Sequence, residues 1–154
     1  MSFLHARDTI SGQEGKAFIT LNNVVEELFY VKSLEASVEK DKQEIRTLGK
    51  RGVQHKATGW SGTGSMTIYY VTSYFRNLMY DYIQSGKDVY FDITVINEDP
   101  SSSIGKQEVV LMGCNLDSVI IAQLDTESSA MEEEVSFTFS DIFIKEPFKA
   151  PSTN

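Results

Sequence analysis

Lys16–Leu21 sets Ala17, Ile19 and Leu21 on one side and Phe18 and Thr20 on the other, the two-residue period of a strand. Asn22-Asn23 then supplies a turn. Val24–Gly49 carries two patterns at once. Val24, Leu28, Val31, Leu34 and Val38 fit a helical stripe, whereas Leu34, Ala36 and Val38 against Glu35, Ser37 and Glu39 fit an exposed strand. The β-branched and aromatic content of Leu28–Val31, with no clear N-cap, favours strand. A strand from about Leu28 to Leu48 would far exceed the usual ~5–6 residues, and such length implies a hairpin arm reaching beyond its own domain.

The stretch GKRGVQHKATGWSGTG, Gly49–Gly64, separates this arm from a returning strand at Ser65–Val71. The period then changes. Phe75, Leu78, Met79, Tyr82 and Ile83 form one apolar helical face, with Ser73 as N-cap and Gly86 beyond the last turn, so a helix is expected over about 73–85. Strand patterns resume in Val89–Val95, Gln107–Cys114, Asp117–Leu124 and Glu133–Ile144, broken by the polar run NEDPSSSIG and by Thr126–Ser129. The ends, 1–12 and 146–154, lack sustained periodicity and read as flexible arms. The pattern predicts a single, mainly β domain, closed or sandwiched, with one helix lying against it.

Composition narrows the function. The 154 residues suit one well-buried core, and no apolar run approaches the roughly 20 residues that cross a bilayer. The N-terminus has an early acid and no apolar run of the secretory type. A single cysteine, Cys114, cannot form an internal disulfide, which fits synthesis in a reducing cytoplasm. A net charge of −8 argues against a general nucleic-acid binder, because such a protein needs a basic face to displace counterions.

No catalytic constellation emerges. The glycine-rich stretch lacks the P-loop and dinucleotide spacings, and a strand follows it instead of a helix. Cys114 sits in an apolar strand pattern, where an inert buried thiol is the common state. His5 and His55 have no ligand spacing to each other or to the cysteine. Glu132-Glu133-Glu134 reads as a solvated strand end, and the aromatics from Tyr69 to Tyr82 read as core. No metal, cofactor or enzymatic activity is expected. A small-ligand β-barrel without assembly remains the alternative function, and a hydrolase would need a polar cluster that the sequence does not offer.

The runs FYVKSLEASVEKDKQEIRTLGKRG, QHKATGWSGTGSMTIYYVTSYFRNLM, SGKDVYFDITVINEDPSSSIGKQ, CNLDSVIIAQLDTES and EEEVSFTFSDIF resemble the tail tube protein of PBSX-type phage-like elements and related contractile-tailed phages. The likeness covers about Ile10 to Phe148. It implies one tail-tube domain over 1–154: two packed antiparallel sheets, a flanking helix and a long hairpin or loop at about 34–72, a fold related to the type VI secretion tube protein. It further implies hexameric rings stacked into a hollow conduit inside a sheath, with baseplate and tail-assembly proteins as partners. DNA would pass through the lumen without specific binding, and no subunit would enter a membrane. Assembly would take place in the bacterial host cytoplasm, and the product would be a virion or phage-like tail. On this reading 49–64 is an assembly loop. Gly49, Gly52, Gly59, Gly62 and Gly64 would give it freedom; Lys50, Arg51 and Lys56 would meet acids on the adjacent ring; His55 and Trp60 complete the candidate set.

Overall fold

The computed structural model describes residues 5–150. Eight antiparallel strands carry about half of the described residues: β1 (Gly15–Leu21), β2 (Val24–Glu27), β3 (Val31–Ile45), β4 (Gln54–Tyr69), β5 (Phe91–Glu98), β6 (Lys106–Ser118), β7 (Glu132–Phe139) and β8 (Asp141–Glu146). One α-helix, α1 (Tyr74–Ser85), interrupts them. The strands are hydrogen-bonded in the order β2-β1-β5-β6-β7-β4-β3, and β8 pairs with β6 on the edge opposite β5.

This single network folds into two halves because β6 belongs to both. Glu108–Met112 of β6 pair with β8, whereas Asn115–Ser118 pair with β7. The bend falls at Gly113, whose φ of +65° is the left-handed region that glycine tolerates. Ser140, between β7 and β8, donates its N–H to the Met112 carbonyl at 3.0 Å, so both strands turn at the same level. A side chain at Gly113 would strike the Ser140 hydroxyl. The inner faces then close on one cluster: Ala17, Ile19, Ile93 and Leu111 from one half, Met66, Ile68, Val135 and Phe137 from the other.

α1 packs against this cluster by its first turn. Phe75 is its buried anchor, with Tyr74 and Leu78 half-buried against the core. The expected apolar face is therefore only partly used, since Tyr82 and Ile83 are exposed. Gly86 ends the helix in the left-handed conformation (φ +72°) and donates to the Tyr82 carbonyl at 2.8 Å, as expected. The Ser73 side chain does not cap; instead the Thr72 hydroxyl accepts from the Tyr74 N–H at 3.2 Å.

Val24–Gly49 resolves as neither one helix nor one strand. Asn22 and Asn23, both at positive φ, turn β1 into the short β2, and Leu28 seals the break before β3 by donating to the Ala17 carbonyl at 2.8 Å. The apolar run Asp117–Leu124, expected as a separate strand, is not one. β6 runs through Asn115 to Ser118, and 119–131 leave the sheet with Ile121 and Leu124 exposed. Of the arm expected at 1–12, residues 5–12 are described; most are exposed, and hydrogen bonds around the buried Asp8 hold them to the domain. Ala6–Asp8 form a 3-10 turn, Ser103 donates its hydroxyl to Asp8, and the Ser11 N–H donates to Asp99 at 2.9 Å. At the other end the Lys149 N–H donates to the Ile104 carbonyl at 2.7 Å. Residues 1–4 and 151–154 of the two arms lie outside the described residues.

Candidate assembly surfaces

The β3–β4 hairpin dominates the surface. Ser33 to Asp41 pair with Thr67 to Gly59, and after a bulge Lys42–Ile45 pair with Ala57–Gln54. β7 supports β4 only as far as Gly62. Beyond that row two strands stand alone. Every β3 residue from Glu35 onward is exposed, and so is every β4 residue before Gly62. An unsupported two-stranded ribbon is marginal in water. This one also exposes Val38, Ile45, Leu48 and Trp60.

The glycine-rich candidates therefore separate into two groups. The loop expected over 49–64 is confined to 46–53, because Gln54–Gly64 belong to β4. Gly49 (φ +83°), Lys50, Arg51 and Gly52 occupy the exposed tip, which the Gln54 side chain closes by donating to the Thr47 hydroxyl at 3.4 Å. His55 and Lys56 follow on β4, opposite Glu44 and Gln43. Gly59 faces Asp41 across the ribbon.

Gly62 and Gly64 do not supply freedom. A Cβ on Gly62 would sit 2.6 Å from Cδ2 and Cζ of Phe139, and one on Gly64 2.6 Å from Cε2 of Phe137. Each glycine is a seat for an aromatic ring of β7. Trp60 extends the row outward, its ring 6.4 Å from that of Phe139.

The opposite face of the same half-sheet has a different chemistry. Alternation from the buried Met66 and Phe137 turns these rows outward: Ser33–Thr67–Glu134, Glu35–Ser65–Ser136, Ser37–Thr63–Thr138 and Glu39–Ser61. Every member is a hydroxyl or a carboxylate, with no cation and no apolar side chain. At its end Glu132 is bridged to Lys32 at 2.7 Å. Glu133, on the inward side, is buried and pairs with Arg76 at 2.5 Å; Arg76 also donates to the Thr72 carbonyl and lies 4.4 Å over the Tyr70 ring. Burial pushes the Glu133 carboxyl up, and the Arg76 charge pulls it partly back. The acidic triplet is thus one surface ion pair, one buried ion pair that ties α1 to β7, and one free surface acid. Strand alternation could have predicted the split; the partners could not be read from sequence.

Cys114 is fully buried, and its thiol is pushed up to about 12 by burial, so it is no nucleophile near neutral pH. The space between the sheet halves, where a small-ligand barrel would need a cavity, is occupied by Ile19, Met66, Phe75, Ile93 and Phe137. What the surface offers is an exposed arm, a hydroxyl-and-acid face and unpaired edges.

The family model described as phage tail tube protein matches residues 2–146. The chain belongs to the phage tail tube protein family. The chain is also similar to two proteins of Bacillus subtilis strain 168. The phage-like element PBSX protein XkdM is 46% identical over 143 residues, covering 93% of this chain and 95% of its own length. The uncharacterized protein YqbM is 45% identical over 147 residues, covering 96% and 97%. In fold, the chain resembles a chain of the six-fold symmetrised anti-feeding prophage baseplate, with a TM-score of 0.66 at 11% identity over 94% of this chain and 97% of that one. This tail tube protein is accordingly a structural component of a phage or phage-like tail, built on a mainly β tail-tube fold.

Proposed function

We propose that six copies of this tail tube protein close into a ring and that rings stack into a hollow conduit, with no enzymatic step. The observation that carries this reading is the β3–β4 arm, which extends past β7 and is exposed on both faces. An arm with this much unsupported strand gains its packing from a neighbouring ring. Within a ring, the edge strands β2, β3 and β8 are the places where copies join side to side, since unpaired strand edges are removed by closure.

The hydroxyl-and-acid face of β3, β4 and β7 lines the lumen on this reading. Glu35, Glu39 and Glu134 project from it, and carboxylates repel DNA phosphate while Ser and Thr keep the wall wetted. DNA would then slide without being held. Sheath, baseplate and tail-assembly proteins meet the outer surfaces, assembly takes place in the host cytoplasm, and the subunit inserts in no membrane.

The test replaces Lys50, Arg51 and Lys56 by Glu. All three are exposed, so the melting temperature of the subunit should stay almost unchanged, whereas tube length in electron micrographs should fall sharply. Raised salt should partly restore tubes by screening the repulsion. Unchanged tubes would show that the arm does not join the rings.

A further inference from the structure

The two ends of the β3–β4 ribbon differ in charge. From Arg46 to Tyr80 the chain contains no acid, so the tip presents Arg46, Lys50, Arg51 and Lys56 together with the fully exposed Leu48. At the opposite end, β3 begins at Val31 and β4 finishes at Tyr69, whose N–H donates to the Tyr30 carbonyl at 3.1 Å. Beside this base lies an open groove of about 590 Å³, lined by Glu26, Glu27, Phe29, Tyr30, Val71, Thr72 and Tyr74. Among the described residues that line it, the only charged groups are the two carboxylates. Phe29 (81% exposed) and Val71 (70%) leave its apolar wall in water.

Resting on the reading that the arm joins rings, we infer that this base groove is the receptor for the arm tip of a second copy. Leu48 packs against Phe29 and Val71, and Lys50 and Arg51 meet Glu26 and Glu27. Geometry gives the contact its direction. The fourteen steps from Val31 to Ile45 span about 45 Å of strand, so tip and groove lie at opposite ends of one axis. Tip-to-base contact is therefore heterologous: it does not close on itself and repeats from copy to copy, which is what an indefinitely stacked tube requires. Charge complementarity sets the polarity, since tip against tip would oppose cations and base against base would oppose carboxylates.

The experiment compares three variants of the full chain at increasing concentration, following tubes by electron microscopy and folding by circular-dichroism melting. The base variant carries Glu26→Lys and Glu27→Lys, the tip variant Lys50→Glu and Arg51→Glu, and the third all four. Base and tip variants should each raise the concentration at which tubes appear by about tenfold or more, the effect of about 1.4 kcal/mol. The four-fold variant should recover tubes at nearly the wild-type concentration. If the base variant assembles normally while the tip variant does not, the groove assignment is wrong and the arm still joins rings elsewhere. If the tip variant assembles normally, the arm reading itself fails. Failure of the folded four-fold variant to recover would overturn direct pairing.

A second measurement does not depend on charge. Leu48→Cys with Phe29→Cys, both at exposed positions, should give a ladder of disulfide-linked multimers when assembled protein is oxidised, and a lone monomer band would overturn the contact.

Discussion

Three glycines of β4 distinguish a strand built for close packing from one built for freedom. Gly64→Ala would drive a methyl into the Phe137 ring, whose side chain is fully buried in the core and has no free space to enter. Overpacking of this kind costs about 1–3 kcal/mol, and a rigid buried ring belongs at the upper end of that range. Alanine recovers about 0.4–1 kcal/mol by restricting the unfolded chain, so a net loss of about 2 kcal/mol remains. Gly62→Ala should cost less, because Phe139 lies at the rim of the core and can tilt towards Trp60. Gly59→Ala should be neutral or slightly stabilising, because its Cβ would meet only Asp41 Oδ2 at 3.9 Å. Urea titration of the monomeric subunit reads all three. With a slope of roughly 2 kcal/mol per molar, Gly64→Ala should lower the midpoint by about 1 M. Adding Phe137→Leu should recover part of that loss as a measurable coupling between the two sites. If all three alanines shifted the midpoint alike, the ring-seat account would be refuted.

Two further predictions concern charge. Arg76→Ala leaves Glu133 buried without its partner and should cost about 3–5 kcal/mol. It also removes what holds the raised Glu133 carboxyl down. The native state then keeps that proton to higher pH than the unfolded chain does, so stability falls as pH rises through the interval, and the loss should be larger at pH 8 than at pH 5. Equal losses at both pH values would contradict the assignment. Glu35→Lys with Glu39→Lys should make assembled tubes retain linear duplex DNA at low salt and release it as salt rises, while wild-type tubes leave DNA free in a gel-shift assay. Tubes of the variant that retained no DNA would remove this face from the lumen.

Much of the fold was legible because its signals are local. The apolar stripe from Phe75 with Gly86 beyond it marked α1, Asn22-Asn23 marked the first turn, and the over-long alternation through Leu34 and Val38 marked the arm. Signals that need a partner strand were not legible. The bend at Gly113 depends on Ser140 lying opposite, and the run Asp117–Leu124 looks like a strand yet leaves the sheet after Ser118. The glycine-rich stretch departs from its sequence pattern for the same reason. In sequence, Gly62 and Gly64 look like a flexible loop, and only their register with Phe139 and Phe137 shows why side chains are excluded. The cationic half of the candidate surface, Lys50 and Arg51, was visible from composition. The carboxylates proposed to meet them, Glu26 and Glu27, became visible only when the fold placed them beside the base of the ribbon.

The central claim is that this chain is a ring-forming tube subunit with its hydroxyl-and-acid sheet face turned inward. Electron cryomicroscopy with helical reconstruction of the concentrated protein tests it most directly. The account predicts hollow tubes of stacked six-membered rings, with Glu35, Glu39 and Glu134 on the inner wall and each arm reaching the next ring. A protein that stays monomeric at every concentration, or tubes that carry those carboxylates on the outer wall, would contradict it.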